Sequence, residues 1–117
     1  MSQALEFLES WYRTQCNGCW EHGNGITIET LDNPGWMVTI DLMETTLENQ
    51  PMQPVRQERS DKDWMMCTVE HNRFRGQGDS TKLNEILEVF SRWAESRSVS
   101  TTQQIAITPK TSVLPRR

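Results

Sequence analysis

Apolar residues recur at helical spacing near both ends of the chain and alternate with polar ones in between. In QALEFLESWYRTQ, residues 3–15, Ala4, Leu5, Leu8, Trp11 and Tyr12 fall on one stripe and predict an N-terminal helix. Ser2 is placed to cap it, and Asn17-Gly18 to end it, because both residues tolerate the left-handed conformation at a helix terminus. A second stripe, Leu83, Ile86, Leu87, Phe90, Trp93 and Ala94, predicts a C-terminal helix over residues 81–96, capped by Asp79 or Ser80.

Between the helices the period is two. Residues 25–31, GITIETL, put Ile26 and Ile28 opposite Thr27 and Glu29. Residues 36–43, WMVTIDLM, put Trp36, Val38, Ile40 and Leu42 opposite Met37, Thr39, Asp41 and Met43. The short link DNPGW suggests a type II turn, with Pro34 and Gly35 at its centre, and hence a hairpin. Residues 44–54 break the alternation with Pro51 and Pro54 and read as a loop. Residues 55–60 read as a charged edge strand and residues 64–70 as a stronger strand. His71-Asn72 sits where a tight turn belongs, and residues 73–76 return as a short strand.

The expected fold is α+β: an N-terminal helix, an antiparallel β-meander of four to five strands, and a C-terminal helix packed on the sheet. The other sheet face, with Thr27, Glu29, Thr39 and Asp41, would meet solvent or a partner. Residues 1–97 form the domain. Residues 98–117 lose periodicity and read as a disordered or loosely attached tail, with QIAIT (104–108) as a stray strand.

Charge narrows the function. The whole chain of 117 residues carries −4, and +3 of that falls in residues 98–117, which leaves −7 for the domain. An acidic domain does not seek nucleic acid and favours a basic partner. No stretch approaches a membrane span, and the acidic N-terminus is unlike a signal peptide, so a cytoplasmic location is expected. In that compartment Cys16, Cys19 and Cys67 should be free thiols.

Several residues invite a chemical reading. TQCNGCWEHGNG, residues 14–25, holds Cys16 and Cys19 in C-x-x-C spacing with His22 close behind. A redox pair belongs at a helix N-terminus, and this pair follows a helix C-terminus. A zinc site needs four ligands, and Cys16, Cys19 and His22 would require Cys67 or His71 as the fourth. Glu21 beside His22 could be an acid–base pair, or Glu21 could cap backbone amides. An enzyme centred on His22 or Cys67 would need Cys67 exposed in a cleft. GQGDS (76–80) lacks the Lys-Ser/Thr of a phosphate loop. No cofactor is expected. Trp11, Trp36 and Trp93 sit at core positions, while Trp20 and Trp64 are undetermined.

The stretches LEFLESWYRTQCNG, WEHGNGI, LDNPGW, DWMMC and LNEILEVFSRWAE together resemble the immunity protein 53 family across nearly all of residues 4–96. The resemblance implies a small cytoplasmic bacterial protein, not an enzyme, that binds and blocks a cognate polymorphic toxin domain. It also implies that the thiols are incidental, since the position of Cys19 is commonly acidic in the family. A basic nuclease would suit the domain's charge. Expected partner contacts are Glu21 and His22, Asp32 and Asn33, Glu44 and Glu48, and Asp61 and Asp63 beside Trp64. The alternative is a small zinc-binding protein using Cys16, Cys19, His22 and Cys67.

Overall fold

The structure, a computed structural model, describes residues 3–98. The Ser2 cap and residues 99–117 of the expected tail fall outside that range, while Ser98, expected to open the tail, is the last residue of the C-terminal helix. Helix α1 (Gln3–Gln15) and the short helix α2 (Trp20–Gly23) precede five strands, and helix α3 (Leu83–Ser98) follows them. The strands are β1 (Ile26–Leu31), β2 (Gly35–Asp41), β3 (Val55–Ser60), β4 (Asp63–Glu70) and β5 (Arg73–Gly78). No described helix is long and apolar enough to cross a membrane.

The sheet is antiparallel throughout, with β3 at one edge as its charges suggested, in the order β1-β2-β5-β4-β3. The strands therefore do not lie in chain order. The loop after β2 carries the chain to the far edge, and β5 takes the place beside β2. The reason lies in the side chains. β3 is too polar to be covered on both flanks, whereas β5 offers Phe74 and two glycines to the helix layer. A Cβ on Gly76 would collide with Ile86 Cγ2, so the bare glycine is what lets α3 sit down on β5.

Val38, Ile40, Met65, Cys67 and Phe74 point from the sheet into the helix layer, where Ile86, Leu87, Phe90 and Ala94 of α3 meet them, all buried. Phe90 is the hub. Its ring lies 5.2 Å from those of both Trp11 and Phe74, 6.2 Å from Trp93 and 6.3 Å from Phe7. These edge-on and tilted arrangements suit the ring quadrupoles. Trp20 is also core, with 1% of its surface exposed, and its indole N–H donates to Met43 O at 2.9 Å.

Several local expectations change. On α1, Leu5 and Tyr12 are 41% and 39% exposed, while Phe7, off the predicted stripe, packs against the core. The helix is rolled toward α3, its main neighbour. Ile28 lies on the helix side of β1 but is exposed, because the helices do not reach that edge. Gly35 lies in β2, paired with Leu31, and lacks the positive φ that the second central residue of a type II turn needs, so the β1–β2 turn is not type II; the Asn33–Pro34 peptide bond is cis. Gly35 opens β2, where a side chain would strike the Gly78 carbonyl. Neither Asp79 nor Ser80 caps α3. The helix starts at Leu83, with Lys82 O accepting its first bond from Ile86 N at 2.9 Å. His71 and Asn72 form the tight β4–β5 turn with φ of 54° and 59°.

Candidate partner-binding site

The C-x-x-C loop is built by its neighbours rather than by its thiols. Asn17 Oδ1 accepts the backbone N–H groups of Cys19 and Trp20, both at 2.9 Å, and starts α2. The Glu21 carboxylate reaches back to the amides of Asn17 and Gly18 at 2.9 and 2.8 Å. Gly18 holds the left-handed φ of 93° that brings its amide round. Glu21's own backbone N–H, with those of Asn17 and Gly18, holds its carboxyl below the usual range. Glu21 is thus a cap, not half of an acid–base pair with the exposed His22.

The zinc and Cys67-centred readings lose their geometry. Cys67 is fully buried under α3, and burial pushes its thiol up to about 12. It is on β4 beside Gly76, among apolar side chains, and cannot join the exposed loop that carries Cys19. Among the described residues no group of three or more His, Cys, Asp or Glu side chains could hold a metal ion.

The expected contact residues separate into two sets. Strand register places Asp32, Asn33, Asp61, Asp63 and Trp64 at one end of the sheet. Glu21, His22, Glu44 and Glu48 lie at the other, roughly 20 Å away along six or seven residues of strand. At that second end Glu21 is spent on capping, and Glu48 is half-buried in a loop tied down by Asn72. Asn72 Oδ1 accepts Asn49 N at 2.7 Å, and Asn72 O accepts Leu42 N at 2.8 Å. Glu44 is exposed, at φ 63°.

At the first end a cleft of about 650 Å³ opens between the β1–β2 and β3–β4 turns, lined by Asn33, Glu58, Arg59, Ser60, Asp61 and Trp64. Three of the expected residues meet there. Glu58, Arg59 and Ser60 were missed, because a charged edge strand looks like plain solvated surface until its turn is seen to face another. Asp32, beside Asn33, is exposed.

Behind the cleft lies a buried ionic clasp. Lys82, 5% exposed, reaches Asp79 Oδ2 and Asp63 Oδ1, each at 2.8 Å. Asp79, 3% exposed, also accepts Trp64 N at 2.8 Å and the amide and hydroxyl of Thr81 at 2.8 and 2.6 Å. Burial alone would raise the Asp79 carboxyl. The Lys82 ammonium and these donors outweigh it and hold the group far below the carboxylate range. Lys82 also lowers Asp63, with help from Arg59 at 3.3 Å. Asp63 is therefore a structural acid, and no local sequence pattern marks Lys82 as its partner.

The sheet face away from the helices is open. One cross-strand row runs Arg56, Met66, Gln77, Met37, Glu29, and Trp64 stands beside Glu58 at its upper rim. Thr27, Glu29 and Thr39 lie on this face as expected. Asp41 does too, but its oxygens are taken by Arg73 Nε at 3.0 Å and Gly25 N at 2.9 Å.

Neither curated proteins nor solved structures provide a match to the chain. The family model described as immunity protein 53 matches residues 5–95, which takes in every strand, α2, the cleft and most of α1 and α3. The chain belongs to the immunity protein 53 family, and that membership supports the role of an immunity protein with a toxin protein as its partner.

Proposed function

We propose that this protein neutralises one cognate bacterial toxin domain by binding it one-to-one in the cytoplasm of the producing cell. The observation that carries the reading is the family match over residues 5–95. The mode of action is occlusion, with no bond made or broken in the partner. The contact surface is the end of the sheet that bears Asp32, Asn33, Asp61 and Trp64, continued onto the open face by Met66 and Met37. Trp and Met are enriched where partners bury surface, and an uncovered sheet flanked by charge is a rigid platform for them. The domain's −7 charge favours a basic toxin, of which a nuclease is the leading kind, since carboxylates can occupy a site built for phosphate.

The test is co-expression and isothermal titration with an inactivated toxin domain encoded beside this gene. Tight one-to-one binding, with growth rescued when the active toxin is co-expressed, is the expected result. No binding, with the toxin still lethal, would overturn the reading.

A further inference from the structure

We propose that the cleft between the β1–β2 and β3–β4 turns takes an arginine side chain of the protein partner, its guanidinium stacked on Trp64 and paired with the carboxylates of Glu58 and Asp61. The inference rests on the immunity reading for the identity of the partner, and on the cleft itself for the chemistry.

The indole groups single out Trp64. Those of Trp20, Trp36 and Trp93 donate to backbone carbonyls at 2.9, 3.0 and 2.8 Å, and that of Trp11 is buried without an acceptor. The Trp64 indole, half-buried on the open face, donates to no described residue. Trp64 lines the cleft, and an indole at a cleft wall is a platform for a planar cation.

The carboxylates are graded in the same way. Asp63 is already saturated by Lys82 and Arg59. That pairing draws Arg59 toward Asp63 and so blunts the one cation among the lining residues. Glu58 pairs with Arg56 only at 3.9 Å, with both side chains 64% exposed, a contact weak enough for an incoming cation to displace. Asp61, in the β3–β4 turn that continues Glu58's own strand, has no ion-pair partner among the described residues. The Asn33 amide oxygen across the cleft supplies a neutral acceptor. An ammonium could take the charge contacts, but only a guanidinium can stack on the indole while donating sideways to two carboxylates. The surrounding −7 domain brings such a cation in.

The experiment has two arms on the full chain. In the first, acetyl-arginine amide and its neutral isostere acetyl-citrulline amide are titrated in turn, and the Trp64 indole and Asn33 side-chain amide signals are followed by NMR. Saturating shifts with the arginine compound, about threefold or more weaker in Asp61→Asn and Glu58→Gln and absent with citrulline, are expected. No shift at these signals, or equal shifts with both compounds, would overturn the proposal. In the second arm the inactivated toxin domain is titrated against wild type, Asp61→Asn, Glu58→Gln and Trp64→Ala, with Glu6→Gln and Glu9→Gln on α1 as charge-matched controls. Loss of affinity in the cleft variants alone supports the proposal. Binding that is equal in cleft variants and wild type overturns it while leaving the immunity role intact. A toxin that does not bind wild type overturns the immunity role, and the arginine chemistry of the cleft is then judged on the first arm.

Discussion

Cys67 and Gly76 face each other across β4 and β5, and together they set how closely α3 approaches the sheet. With its thiol pushed up to about 12 and no surface exposed, Cys67 should resist alkylation. Iodoacetamide at pH 8 is expected to add to Cys16 and Cys19 in the native chain, and to Cys67 only in denaturant. Intact-mass measurement checks this, and a third native adduct would contradict the burial. Gly76→Ala is expected to destabilise the fold by about 1–3 kcal/mol in urea melts, because its methyl group would push on Ile86. The same residues show the limits of reading a chain locally. The strand pattern marks Cys67 as inward-facing, but nothing in the pattern around GQG tells that one glycine is a packing requirement.

Between elements, the Asp79–Lys82–Asp63 clasp ties the start of β4 to the turn that launches α3. The folded-state carboxyls titrate below their unfolded values, so their contribution is fully present above ~3.9 and is lost as pH falls through the folded values. Lys82 is shifted up by its bonds to Asp63 and Asp79, so its share is present below ~10.4 and is lost as pH rises through the folded value. Asp79→Asn should therefore be less stable than wild type at pH 7, with the gap narrowing as pH drops below about 4. Urea midpoints taken across that range would show it, and a constant gap would mean that the clasp acts only through packing. The aromatic hub is a second tie between elements. Phe90→Ala removes ring contacts to α1, β5 and its own helix at once, and is expected to cost about 3–5 kcal/mol in the same melts.

For the whole molecule, charge and shape act together. Helices α1 and α3 cover one face of five strands and leave the other open, and residues 1–97 carry −7. Association with a basic toxin domain should slow markedly as salt rises from 0.05 to about 0.5 M, while dissociation changes far less, since exposed charges steer encounter over about a Debye length. Stopped-flow binding at several ionic strengths measures both rates. A salt-independent association rate would mean that the net charge serves only solubility.

The sequence by itself determined what depends on near neighbours. The two helical stripes, the alternating runs, the His71-Asn72 corner and the inward set Val38, Ile40 and Phe90 all follow from side-chain periodicity and turn chemistry. The family motifs, spread from residue 4 to residue 96, were also legible in the chain, and family membership is what supports the immunity role. Only the tertiary structure decided what depends on distant partners. It placed β5 rather than β3 beside β2, because glycines were needed under α3. It also sorted acids that look alike in the chain: Glu21 caps a loop, Asp41 and Asp63 are locked in ion pairs, and Asp61 has no ion-pair partner among the described residues. A carboxylate's role is set by the donor that reaches it, and those donors lie 19 and 32 residues away at Lys82 and Arg73.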